Sequence, residues 1–450
     1  MIKDMTTGNP TKILWNYSLP LLFSIVFQQL YNIADSVIAG QFVGVNALAA
    51  VGASYPITMI FMAFAQGCNV GGSIVISQLF GAKEHAKMKT AINTSLITTL
   101  SLSLILTGVG LLSCRPFLVL LNTPNDIMAD SMTYLNIYIY GLFFLFAYNI
   151  CTGIFTALGD SKTPLYFLIV SSLSNIGVDI LFVTVFQMGV AGVAWATFLC
   201  QGIAAICAFI TVFFRLRKIK TTEKSEWFSL PMLGQISKLA IPSILQQSFI
   251  SIGNLFIQGL VNRFSVSVIA GYSAAVKLNT FAVTCFNTLS TGVSGFTAQN
   301  IGAMNADRVR KGYRASFGLA ACVAIPFMIA FIGFGGAMSG LFMNQSDGQA
   351  AIEVAKQYLF IVAPFYPIVS IKVMTDGVLR GASCVWAFTA STFTDLILRV
   401  GISYVLALGT GLNEVGVWLS WPIGWVLGMI VALVFYAAGT WKKHLPQTQV

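Results

Sequence analysis

The chain has 450 residues, 56% of them hydrophobic and only 9% charged, with a formal net charge of +10. A mean hydropathy of +0.81 excludes an ordinary soluble domain, which needs far more polar surface, and long uncharged stretches read as membrane helices. The basic residues sit in short loops between apolar runs, which is the pattern of membrane topology and argues against a nucleic-acid partner.

Segments long enough to cross a bilayer are expected at 13–40, 46–78, 88–112, 131–157, 164–186, 190–214, 236–261, 267–298, 312–334, 352–379, 386–408 and 414–438. The first is too long for a signal peptide and lacks a small-residue cleavage site, so it reads as a membrane helix. Gln28, Tyr31, Asn32 and Asp35 are spaced by three or four along it, which places them on one helical face. The fourth span carries Asn149, the fifth Asn175 and Asp179 on one face, and the sixth Thr197. The longest charged linker, Arg215 to Leu230, follows. It divides the chain into an N-terminal six-helix lobe (1–214), an inter-lobe loop (215–235) and a C-terminal six-helix lobe (236–450). Spans of the second half hold Lys277, Lys372, Asp376, Asp395 and Arg399, and prolines such as Pro20, Pro56, Pro242 and Pro422 lie within helices that bend or pack closely.

The two halves repeat one another. Pro20 is matched by Pro242, Asn32 by Asn254, and Gln78-x-x-Gly81-Ala82 by Gln299-x-x-Gly302-Ala303, at an offset of about 222 positions. Later, Thr152-Gly153 matches Asp376-Gly377, and Gly192 matches Gly416. Six spans per copy is an even number, so the copies enter the membrane in the same orientation, a parallel repeat of the kind transporters use. The expected fold is therefore an all-α membrane protein of about twelve transmembrane helices in two pseudo-symmetric six-helix lobes. Lys83, Lys87, Lys89, Lys162, the linker cations and Arg308 to Arg314 fall on the side of the termini, whereas Arg115, Arg263 and Lys356 fall opposite. That bias predicts cytoplasmic termini and a multi-pass protein of the plasma membrane.

Seven ionisable residues remain inside apolar spans: Asp35, Asp179, Lys277, Lys372, Asp376, Asp395 and Arg399. Each would cost roughly 2.5–3.5 kcal/mol at the bilayer centre, so each is a functional candidate facing a protein-lined or aqueous interior. Asp35 and Asp179, with the neutral oxygens of Asn149, Asn175 and Thr197, make an all-oxygen set suited to Na⁺ or to protons. The plainer readings are that Asp35 reaches the interface from a helix end, and that the set is a structural hydrogen-bonded cluster. In the second half, Asp395 and Arg399 stand where the first has Asn175 and Asp179, and their spacing of four predicts an internal ion pair. Lys372 and Asp376 have the same spacing and can neutralise each other, while Lys277 calls for an acid from another helix. Eight cysteines lie in or beside apolar runs with no Cys-x-x-Cys, and only His85 and His444 exist, so reduced thiols and no histidine-ligated metal are expected.

The tracts Gln28-Gln29-Leu30-Tyr31-Asn32-Ile33-Ala34-Asp35, Gln78-Leu79-Phe80-Gly81-Ala82 and Gly159-Asp160-Ser161-Lys162-Thr163-Pro164, together with the duplicated layout, resemble the bacterial branch of the multidrug and toxic compound extrusion (MATE) family over essentially the whole chain. The resemblance implies two lobes around a central V-shaped cleft, and cation-coupled export of amphipathic, often cationic, drugs by alternating access. It implies an amino-terminal-lobe cation site at Asp35, Asn175, Asp179 and Thr197, with Asn149 close by, and a hinge at Pro20. Asp376 falls where family members often carry an acid. Gln246-Gln247-Ser248 stands where some carry a glutamate, which puts a carboxy-terminal-lobe ion site in doubt. The expected protein is a monomer in the lipid bilayer, with small amphipathic substrates, no cofactor beyond Na⁺ or H⁺, and no enzymatic activity, since no nucleophile–base pair or metal set is present. The alternative is a flippase for lipid-linked oligosaccharides on a related duplicated scaffold, which would call for a strongly cationic cleft.

Overall fold

The computed structural model describes residues 3–38, 42, 45–221, 223–341 and 348–442, with the main chain alone for 32–38 and 45–48. Among the described residues all regular structure is helical. The first half holds α1 (Pro10–Ile38), α2 (Val45–Gly81), α3 (His85–Leu120), α4 (Asn125–Tyr140), α5 (Leu142–Ala157), α6 (Lys162–Ile180) and α7 (Gly189–Lys218). The second holds α8 (Leu230–Val261), α9 (Val266–Gly302), α10 (Ala306–Gly340), α11 (Gln349–Val362), α12 (Tyr366–Gly381), α13 (Val385–Tyr404) and α14 (Asn413–Ala437). Among the described residues, 11 helices are long and apolar enough to cross a membrane, or up to 12 when the bent pair α4 and α5 is taken as one. This is the all-α, twice-six-helix membrane architecture expected from hydropathy.

Four spans are less regular than their hydropathy suggests, in three ways. The segment expected at 131–157 bends by 47° between α4 and α5. Gly141 stands at the bend, where a Cβ would lie 3.2 Å from the Tyr138 carbonyl and 3.4 Å from the Phe198 ring. The segment expected at 352–379 passes through a 3₁₀ turn at Ala363–Phe365, where Pro364 and Pro367 each lack the N–H an α-helix needs. The third irregularity is repeated: α6 ends in a π turn at Leu181–Val185 and α13 in one at Val405–Gly409.

The chain forms two compact units, Met1–Asp4 with Phe23–Leu245, and Met5–Leu22 with Gln246–Val450. Each unit thus takes in the leading part of the other repeat's first helix, because those turns pack by the shape of their face and not by sequence order. In the second unit Ile13, Leu14, Tyr17 and Leu21 of α1 join a core with Phe286, Phe296, Tyr366 and Trp418. Gln299 of the repeated tract accepts from the Met5 amide at 2.9 Å, and Arg308 donates to the carbonyls of Met5 and Gly8. In the first unit the core is built on Phe61, Leu118, Leu135, Leu142 and Phe146. The charged linker lies along the start of α3: Lys89 donates to the Ile219 carbonyl at 2.7 Å, and Thr90 accepts from the Glu226 amide at 3.0 Å.

Glycine contacts show that the repeat extends to packing. A Cβ at Gly71 would come within 2.8 Å of Ala240 Cβ, and one at Gly292 would run into Ser18 Oγ. Ser18 and Ala240 are themselves repeat partners. Likewise a Cβ at Gly153 would meet Asn69 Oδ1, and one at Gly377 would lie 2.6 Å from the Ser290 carbonyl. A backbone carbonyl cannot rotate away from an added side chain. Gly377→Leu is therefore expected to lower stability by about 3 kcal/mol, the upper range for overpacking, read as a lower melting temperature of the purified protein.

Candidate functional site

A polar cluster joins α1, α6 and α7 in the first unit. Asn175 and Asp179 follow one face of α6 and are buried, at 3% and 0% exposure. A carboxyl group so placed needs donors, because burial removes water from it. Asn175, with its amide turned so that both ends are satisfied, supplies them: Nδ2 donates to Asp179 Oδ2 at 3.0 Å and to Tyr31 Oη at 2.8 Å, and Oδ1 accepts from the Thr197 amide at 3.1 Å. The π turn of α6 begins at Leu181, directly after this cluster, a placement common at functional sites.

The expected site residues take different places. Asn175 and Asp179 are joined directly. Thr197 enters through its main-chain N–H, whereas the sequence suggested its hydroxyl. Asn149 turns back on its own helix, donating to the Leu145 carbonyl at 2.9 Å, and makes no hydrogen bond to the cluster among the described residues. Asp35 belongs to the last turns of α1, but its side chain lies outside the described residues, as does that of Asn32. Tyr31 was legible only as one member of a polar face. Pro20 lies inside α1, which runs through it as one helix.

The second unit places charge where the first has neutral groups. Lys372 of α12 is buried, with Nζ 3.1 Å from Asp376 Oδ2 and 3.6 Å from Asp395 Oδ2. The ion pair expected between Asp395 and Arg399 does not form. Arg399 instead lies 4.2 Å over the Trp421 ring, and Asp395 turns to Lys372. Gly424 and Gly428 of α14 leave the room for this: a Cβ would stand 2.7 Å from Asp395 Oδ1 at the first and 2.6 Å from Lys372 Cε at the second. Lys277 is exposed on α9 and takes no place in this buried set.

At the loop between α5 and α6, Asp160 is almost fully buried. Its carboxylate accepts from the amides of Lys162 and Thr163 and from the Thr163 hydroxyl, and it pairs with Arg215. Burial alone would raise its pKa, but hydrogen bonds, those from Thr163 and Arg215 among them, outweigh it and bring the pKa down to about 2. A depressed carboxylate pKa stabilises the fold above the unfolded value near 3.9, and that contribution is lost as pH falls through about 2. Asp160→Asn is expected to remove about 2 kcal/mol at neutral pH. It should also flatten the decline in melting temperature between about pH 4 and pH 2, the interval in which the unfolded chain binds this proton and the folded chain does not.

The family model described as MatE matches residues 20–181 and 242–405, the two repeats in turn. The chain is 30% identical over 446 residues to the probable multidrug resistance protein YpnP of Bacillus subtilis (strain 168), covering 98% of this chain and 97% of that one. To the probable multidrug resistance protein YoeA of the same strain it is 27% identical, with 95% and 93% covered. Among solved structures, a MOP superfamily transporter from Pyrococcus furiosus superposes with a TM-score of 0.91 at 22% identity, covering 98% of each chain.

Proposed function

This chain belongs to the MatE family of multidrug and toxic compound extrusion transporters, and from that premise we propose that it is a cation-coupled antiporter exporting amphipathic, often cationic, compounds by alternating access. Members of the family are membrane transporters and not enzymes. The lobes of the transporter are residues 1–214 and 236–450 with the loop 215–235 between them, both termini are cytoplasmic, the membrane is the plasma membrane, and the working unit is a monomer.

The observation that carries this reading is the buried Asp179–Asn175 pair, reached by Tyr31 of α1 and the Thr197 amide of α7. Asp179, Asn175 and Thr197, with Asp35 one helical turn beyond Tyr31 and Asn149 on the neighbouring helix, are assigned to the coupling cation. Asn175 has two useful orientations. With its nitrogen toward Asp179 it stabilises the free carboxylate. Turned over, its oxygen would face Asp179 Oδ2, and only a cation or a proton between the two oxygens makes that contact favourable. Cation binding thereby changes which helices the amide ties together, and Pro20 gives α1 a point at which to respond.

A cation that binds one state of the carrier better shifts the population toward it, and a cation that binds both equally shifts nothing. The membrane potential adds about 2.3 kcal/mol per charge for each 100 mV. The flippase alternative would want free cations for a pyrophosphate head group, whereas Lys372 is already matched by two carboxylates. The test is efflux of a cationic dye from reconstituted vesicles under separately imposed Na⁺ and pH gradients. Efflux driven by one of them is expected, and efflux indifferent to both would overturn the proposal.

A further inference from the structure

We propose that Lys372 is a tethered cation that permanently fills the place in the second unit where a mobile coupling cation would otherwise bind, between Asp376 and Asp395. This rests on the cation-coupling reading of the first unit and adds that coupling is confined to it.

The geometry is that of an occupied cation site. A single ammonium group, 4% exposed, lies 3.1 Å and 3.6 Å from oxygens of two carboxylates on different helices. An ammonium is a compact point charge with three donors, the closest a side chain comes to a bound monovalent ion. Gly428 admits it, since any Cβ there would stand 2.6 Å from Lys372 Cε. Arg380 of the same helix also acts on Asp376, and Arg399 lies over Trp421, but Lys372 is the cation whose charged nitrogen lies between the two carboxylates. The other oxygens, Asp376 Oδ1 and Asp395 Oδ1, are buried and accept no hydrogen bond from the described residues, so the ammonium is the main partner these carboxylates have.

Repeat symmetry points the same way. The positions of the first half that match Lys372 and Asp376 are Tyr148 and Thr152, which are neutral, and those matching Asp395 and Arg399 are Asn175 and Asp179. The half without a built-in cation keeps a single carboxylate on α6, whereas in the other half the ammonium of Lys372 lies between the two acids. A covalently held cation cannot leave down a gradient, so this site cannot drive transport. It neutralises the acids and holds α12 to α13.

The prediction concerns how many cations bind. Lys372→Met keeps an unbranched apolar stem, one atom shorter, and removes the ammonium, leaving Asp376 and Asp395 without the cation between them. The full-length variant in nanodiscs is expected to take up one more cation per chain than wild type, counted as radioactive sodium bound plus protons taken up. Lys372→Met/Asp376→Asn should return to the wild-type count, and Lys372→Arg should not differ from wild type. A folded Lys372→Met protein that takes up neither ion would overturn the proposal. If that variant does not fold, Asp376→Asn alone decides: its count should equal wild type, and loss of a cation would show that Asp376 already holds a mobile one. Failure of the first-unit reading looks different, as an Asp179→Asn protein whose cation binding is unchanged.

Discussion

Asp179→Asn is expected to bring gradient-driven dye efflux down to the level of protein-free vesicles, with the melting temperature kept close to that of wild type. The substituted amide has nearly the same shape as the carboxylate and still meets the Asn175 side chain, 3.0 Å away in the native protein. It cannot carry charge, so it removes the differential affinity that lets a cation choose between states, and without that difference no population shift follows. Substrate binding in the absence of a gradient should survive. Efflux at the wild-type rate from well-folded Asp179→Asn protein would remove Asp179 from the coupling machinery. Tyr31→Phe should have a milder effect, since it deletes one partner of the amide at 2.8 Å and leaves the carboxylate in place.

The second large effect is on stability. Lys372→Met leaves Asp376 and Asp395 facing one another in a buried setting, and breaking a buried ion pair by removing one partner costs about 3–5 kcal/mol. A lower melting temperature at high pH in sodium-free buffer is the expected reading, with recovery on adding sodium or lowering pH as a free cation takes over. Lys372→Met/Asp376→Leu should be more stable than the single variant, because the unmatched charge is gone. If the single variant melts as wild type does in every buffer, the three side chains do not form an electrostatic unit.

The two polar sites differ in how much of them could be read in advance. Asn175 and Asp179 are four apart on one helix, and helical geometry alone places them together. Tyr31 sits on a recognisable polar face of α1, but nothing in its own segment says that Asn175 is its partner. Thr197 was singled out for its hydroxyl, and it is the main-chain amide that reaches Asn175. Every residue but proline has such an amide, so no residue type signals its use. Asp395 and Arg399 show the opposite error. The same spacing of four predicted a pair, yet Asp395 turns to Lys372 of α12 and Arg399 to the face of Trp421. Spacing allows a contact within a helix, but a better partner on a neighbouring helix takes it. Gly424 and Gly428 made that competition possible by leaving room beside α14, and a glycine in a sequence does not say which side chain will fill its space.

Membrane helices, their number, the six-plus-six duplication and the family were determined by the sequence alone, because apolar length and repeated residue order are properties of the chain in one dimension. The tertiary structure decided that α4 and α5 bend apart, that the leading turns of α1 and α8 pack with the opposite repeat, and that Lys372 lies between two carboxylates. Those outcomes depend on which surfaces approach within a few ångströms, and charges separated along the chain by tens of residues acquire partners only when the helices carrying them pack.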